Sequence, residues 1–323
     1  MASNFEDELE RSNPISFEAT TDGVDQKNET SLKNYTINNS KNKDCQNNSE
    51  VEQILNSLRL LYNEGDTFEV SLIAPFQRKH RLWDNNYASG KNPIVSGWFQ
   101  SFEKVAESVI LADKQARPLS INVTLNPVSN ALLGRANERF KSNIDRSKND
   151  DVIKRKWMLI DLDPKRPGGV SATNEEKGYA KRIAREVYKY LGSCNWTEPL
   201  VADSGNGYHL LYRIDLQNDE SSKKLIKSCL QTLANKFNTD QVSIDTSVAD
   251  AARLIKLWGT MARKGEDIAD RPHRKSEVIY VPDKIEEVSI ERLQELANYE
   301  QPEKKSVKSS KNCKQDDIKQ DKL

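Results

Sequence analysis

An apolar, β-favouring run, Trp157 to Leu162, carries two aspartates spaced two apart, Asp161 and Asp163. In a strand, residues at i and i+2 leave the same face. The spacing therefore predicts that both carboxylates project together, while Met158, Ile160 and Leu162 point into an opposite, buried layer. Two carboxylates held side by side repel, and each raises the other's pKa unless a cation neutralises them. Hard divalent ions such as Mg²⁺ take oxygen ligands of this kind and often share them with substrate phosphates. That is the chemical core of a nucleotidyl-transfer site. Taken alone, the pair also suits a turn, an aspartyl phosphatase or a glycosyltransferase that binds sugar nucleotides.

Two companions narrow the choice. His209, one of three histidines with His80 and His273, follows the turn Ser204-Gly205-Asn206-Gly207 and opens the apolar strand His209 to Ile214. Glycines allow positive φ and leave backbone N–H groups free to face an anion. A histidine at the mouth of such a turn is well placed to bind a triphosphate. Asp245 ends the short run Gln241 to Ile244 and offers a third carboxylate. On its own it reads equally well as a helix or turn cap.

In this order and spacing DLD, SGNGYH and SID resemble the three motifs of the archaeo-eukaryotic primase superfamily, the primase-polymerases. Further blocks resemble the subgroup carried by phages, plasmids and other mobile elements: SGWF (Ser96 to Phe99), TLNP (Thr124 to Pro127), LLGRANERF (Leu132 to Phe140), ARLIKLWGT (through Thr260) and RPHRKSEV (Arg271 to Val278). The resemblance covers roughly residues 51 to 285. It implies an α+β fold, an RNA-recognition-motif-like catalytic module packed on an N-terminal α/β module. It implies template-dependent nucleotidyl transfer with Asp161, Asp163 and Asp245 as ligands of two Mg²⁺ or Mn²⁺ ions. Ser204 and His209 would hold the nucleoside triphosphate, with Arg253 and Lys256 beside them, and Asn126 and Arg135 would face template or nucleotide. The implied partners are a single-stranded DNA template and nucleoside triphosphates, with any helicase supplied as a separate chain. Many relatives carry a Lys or Arg inside the second motif, and SGNGYH has none. Arg253, Lys256 or the basic run around Arg271 is left to carry that charge. Two other readings stay open, a catalytically silent replication initiator or nucleic-acid adaptor, and a metal-dependent phosphatase or nuclease.

Of the 323 residues, 36% are hydrophobic, and they are unevenly spread. Residues 1–50 are rich in Asn, Ser, Thr, Asp and Glu, and residues 301–323 in Lys, Ser, Gln and Asp. Neither stretch has enough apolar surface to offset ordering entropy, so both are expected to be disordered, flanking a catalytic domain at 51–300. The formal net charge is zero, divided as −5 for the first fifty residues, +3 from Gln301 onwards and +2 between. Global charge therefore gives no case for nucleic acid, but local clusters do: Arg78 to Arg81, Lys154 to Lys156, Lys165-Arg166 and Arg271 to Lys275 flank the motif blocks. Four scattered cysteines (Cys45, Cys194, Cys229, Cys313) with no CxxC pair support neither a structural zinc site nor a disulfide framework. No GxxxxGK[ST] loop is found, which excludes a helicase engine of that type from these residues. The acidic start and the lack of an apolar run of ~20 residues lead to the expectation of a soluble, cytoplasmic chain with no membrane contact.

Period alternates along the ordered part. Helical stripes fall on Val51 to Leu61, Phe102 to Ile110, Ala180 to Leu191, Leu225 to Phe237 and Ser289 to Ala297. Strand alternation falls on Phe68 to Leu72, Ile121 to Leu125 and Ser276 to Val281. Trp157, Tyr208, Tyr212 and Trp258 are close enough to the motifs to be weighed as base-stacking platforms, against the plainer reading as core.

Overall fold

Two five-stranded sheets, each antiparallel throughout, carry the molecule, and the computed structural model describes residues 49–75, 80, 82 and 94–298 of it. The expectations for residues 1–48 and 301–323 lie outside the described residues. A first helix, α1 (residues 49–61), precedes β1 (Phe68–Ile73), β2 (Ile94–Phe99), α2 (Phe102–Gln115) and β3 (Ser120–Thr124). The first sheet runs β4-β2-β1-β3-β9, where β4 is Lys141–Ser142 and β9 is Leu254–Lys256. Phe68, Val70 and Leu72 on β1 are fully buried, as their alternation demands.

The second sheet starts with β5 (Lys154–Pro164) and continues through α3 (Asn174–Ser193), β6 (Leu200–Asp203), β7 (Tyr208–Gln217), α4 (Glu220–Phe237) and β8 (Val242–Ile244). With β12 (Glu277–Tyr280) on its edge, its order is β12-β6-β7-β5-β8. A two-stranded ribbon of β10 (Met261–Ala262) and β11 (Arg274–Lys275) and a last helix, α5 (Ile290–Ala297), complete the described elements. Helix starts follow their caps. Thr173 and Glu176 form a capping box at α3, and Asp219 accepts from Ser222 N at α4.

The central strand β5 is covered on both sides. Met158 is the cross-strand partner of Tyr212, whose ring meets Trp196 edge-on beyond the end of α3. Trp157, on the other face, donates its indole N–H to Leu61 O of α1 at 3.1 Å. A β-bulge between Arg155 and Trp157 sets the phase of the strand. The two adjacent N–H groups at the bulge, Lys156 N and Trp157 N, both donate to Asn126 Oδ1, at 2.7 and 3.3 Å. From there the register runs unbroken to the paired acids.

After β8 the chain leaves the second sheet, passes a short 3-10 turn (Thr246–Ala249), and pairs β9 with β3 of the first. This crossing makes a cleft between the two sheets. It brings Arg253 and Lys256, at the edge of one sheet, to face acids that hang from the other.

Candidate active site

The register between β5 and β7 pairs Asp161 directly with His209 and Leu162 with Tyr208. Direct partners in an antiparallel pair share a face, so the first acid and the histidine are neighbours by construction. The turn between β6 and β7 is closed twice, by Ser204 N to Gly207 O and by Gly207 N to Ser204 Oγ, both 3.0 Å. Gly205 needs its positive φ of 93°. Gly207 is required for space: a Cβ there would collide with Leu162 O and lie 2.7 Å from Asp163 Oδ1. The turn is braced from behind by Asp203, which accepts from Gly205 N at 2.6 Å and pairs with Lys177.

Asp161, Asp163, Ser204, His209, Arg253 and Lys256, from six separate positions in the chain, line one cavity of about 240 Å³. Asp245 stands at its margin. Its backbone N–H donates to Asp161 O at 3.0 Å, and its carboxylate caps the 3-10 turn through Ser247 N. The cap and the third acid are thus the same residue. Arg253 joins the acids: its Nη2 is 2.9 Å from Asp245 Oδ2 and 3.9 Å from Asp161 Oδ2. Its Nε is buried with no hydrogen-bond partner.

Burial pushes the Asp161 carboxyl up to about 8, with Asp163 adding to the rise and Arg253 opposing it. His209 is lowered to about 4, chiefly by burial, so it is neutral at pH 7. Trp258 Nε1 donates to His209 Nδ1 at 3.3 Å. An indole can only donate, so the imidazole proton sits on Nε2. That N–H faces Asp161 at 3.6 Å, too long for a hydrogen bond, and is left to serve the cleft. Lys256 Nζ donates to Met261 O at 2.7 Å, and burial brings its ammonium down to about 7.

Five further polar residues line the same cavity: Ser120, Asn122, Arg166, Asn206 and Lys264. Arg166 lies 3.7 Å from Asp163. Asn206 is anchored by accepting from Ala172 N at 2.8 Å. Lys165-Arg166 and the SGNG turn were visible as a basic cluster and a turn, but Lys264 had no sequence signal. Arg271 goes elsewhere: it holds Glu176 through two hydrogen bonds of 2.8 and 2.9 Å and also bonds Ser171 O. Arg274 likewise fastens Ala172 O and Asn174.

Two expectations are corrected. Asn126 does not face a ligand; it is 1% exposed and holds the β5 bulge and Ala251 O. Arg135 donates to Asp145 O and Arg146 O and lies over the Trp98 ring, as a loop clamp. Tyr212 is buried, and so are Trp157, Tyr208 and Trp258, so none of the four offers a face to a base. The bland reading of those aromatics as core is the right one, with Trp258 also orienting His209. No cluster of three His, Cys, Asp or Glu side chains among the described residues is arranged to hold a metal ion. The donors still suit a hard cation. They are all carboxylate oxygens, and added positive charge would offset the burial and the Asp163 repulsion that raise the Asp161 carboxyl. In this conformation Arg253 partly supplies that charge.

Comparison with known proteins adds little. No family model matches the sequence, and no curated protein does either. Among solved structures the chain is similar to the crystal structure of primase RepB', with a TM-score of 0.42 and 11% identity. The match takes in 76% of this chain and spans 62% of the length of that one. Among the described residues no helix is long and apolar enough to cross a membrane.

Proposed function

We propose that the chain is a template-dependent nucleotidyltransferase, a DNA primase or polymerase serving replication of a mobile element. One observation carries the reading: the β5–β7 register sets Asp161 and Asp163 beside His209 and the SGNG turn, facing Arg253 and Lys256 across one cavity. The β5-α3-β6-β7-α4-β8 order, with β8 and β7 flanking β5, supports the view of this half as an RNA-recognition-like module on an N-terminal α/β module.

In this reading His209 Nε2–H donates to a phosphate oxygen, and the Ser204 hydroxyl, already accepting from Gly207 N, donates to another. Arg253 and Lys256 neutralise the triphosphate. Asp161 and Asp163 would hold divalent ions, joined by Asp245 once Arg253 releases it to phosphate. Mg²⁺ or Mn²⁺ bound there would stabilise charge on the attacking and leaving oxygens. The chain itself orients the triphosphate and keeps the acids on a rigid strand. A 3′-hydroxyl then attacks the α-phosphate and pyrophosphate leaves.

Incorporation of labelled nucleotide on a single-stranded DNA template, with separate ribo- and deoxynucleotide pools and Mg²⁺ or Mn²⁺, is the test. The Asp161→Asn, Asp163→Asn double variant is expected to abolish incorporation while melting no lower than the parent chain, because mutual repulsion is removed. Retained incorporation by the folded variant would refute the assignment. One observation favours a second reading, a silent initiator or adaptor: Arg253 bridges two of the three acids, as in a structural ion-pair network. That reading predicts DNA binding without incorporation by the parent chain in either metal.

A further inference from the structure

We propose that a single nucleic-acid strand reaches the cleft along the groove formed by residues 146–149 and 252–254, its phosphates held by Arg146 and Lys148. The proposal rests on the nucleotidyl-transfer reading and names where the strand of that reaction lies. The groove, about 480 Å³ and open to solvent, shares Arg253 and Leu254 with the catalytic cavity, so the two adjoin.

The loop that makes its wall is pinned at nearly every second residue. The carbonyls of Asp145 and Arg146 accept from Arg135 at 3.1 and 3.2 Å. Ser147 N donates to the buried Glu69 carboxylate at 2.7 Å, and Ser147 Oγ accepts from Trp98 Nε1 at 2.9 Å. Asn149 accepts from Ala252 N at 3.0 Å and donates to Asp250 at 3.3 Å. Between these anchors Arg146 and Lys148 are exposed, and neither makes an ion pair among the described residues. The one acid at the groove, Asp250, is already met by Lys223 at 2.9 Å.

An exposed basic loop is ordinarily mobile. Here a buried carboxylate and an arginine hold its backbone and a buried indole holds the Ser147 hydroxyl, which lowers the entropy lost when the two cations meet a ligand. Two cations spaced two residues apart on a pinned segment suit a repeating line of phosphates. Arg253 then hands the strand on to the acids.

The test is anisotropy of a labelled oligothymidylate of about 20 nucleotides with the full chain, titrated across salt concentrations. The Arg146→Gln, Lys148→Gln variant is expected to bind it roughly tenfold more weakly at low salt. Its log–log salt dependence should be shallower by about 1.4, the value for two single-strand phosphate contacts. Nucleoside triphosphate affinity with Mn²⁺ should stay at the parent value. Arg59→Gln with Lys284→Gln removes equal charge elsewhere and should leave the slope unchanged. A groove variant with parental affinity and slope overturns the proposal, as does a control pair that loses as much, or a parent chain that binds no strand. Should the double variant melt early, each single substitution is read instead, with half the change in slope expected and parental binding again overturning the groove. If the parent chain incorporates no nucleotide while the groove variant still loses the strand, transferase chemistry fails and the groove stands. The reverse outcome removes the groove alone.

Discussion

Lys256 is held in a neutral-leaning state by burial, and that has a measurable sign. Its ammonium is lowered to about 7 in the folded chain against about 10.4 when unfolded. The unfolded state therefore binds more protons between these values, and the group's cost is full below pH 7 and fades as pH rises towards 10. Lys256→Met is expected to raise the melting temperature at pH 7, with a gain that shrinks at pH 9. The same variant should weaken triphosphate binding, since a bound anion restores the favourable charge. Equal stabilisation at both pH values would contradict the assignment. At this scale Asp161, Asp163, Ser204 and His209 were legible, because a strand's two-residue period and a glycine turn leave local marks. Arg253 and Lys256 came only through resemblance. Lys264 was illegible, as were the roles of Asn126 and Trp258, because their partners are over thirty residues away.

Elements transmit position to the site through close contacts of backbone. Gly207 opens β7 against the end of β5, with no room for a methyl group beside Leu162 O and Asp163. Gly207→Ala is expected to push β5 and β7 apart at the end that carries Asp161, Asp163 and His209. Incorporation should fall at least ~10-fold, and stability by about 1–3 kcal/mol, in the range for overpacking. A folded variant with parental activity would show that Asp163 tolerates the shift. The five helices and β1, β3, β5, β7 and β12 were visible as periodic stripes. β2 and β9 showed only as parts of motif blocks, and β6 was hidden. Leu200–Asp203 and Leu254–Lys256 are too short to show a period, and each exists because a neighbouring strand completes its hydrogen bonds.

Among the described residues one large apolar core joins the two sheets, with a smaller cluster around Trp98, Val128 and Val152 beside it. The apolar cluster runs from α1 and the first sheet through β5 to α4 and α5. Because β9 belongs to the first sheet but follows β8 of the second, the first sheet is incomplete without the C-terminal half, and residues 152–298 alone would leave β9 unpaired and the Trp157 face of β5 uncovered. A fragment of residues 152–298 is therefore expected to lack a cooperative melt, whereas the chain with residues 49–298 intact should unfold in one transition. Calorimetry on both decides this. A cooperative fragment would mean that the second sheet is self-sufficient. Such an arrangement could not be read from the sequence, since a crossing between sheets depends on contacts between β3 and β9, over 120 residues apart.

Asn126 gives the β5 bulge a role like that of a gear tooth. One amide oxygen fixes which of two possible parities the remaining strand adopts, and every side chain after it inherits the choice. Length changes before Lys156 can be absorbed by the loop that precedes the strand. A single residue gained or lost between Trp157 and Asp161 would instead turn the acids towards the helices and bury them among hydrocarbon. The short span after the bulge is thus the part of this chain with the least freedom to vary in length, although none of its first four residues touches the cavity except Leu159.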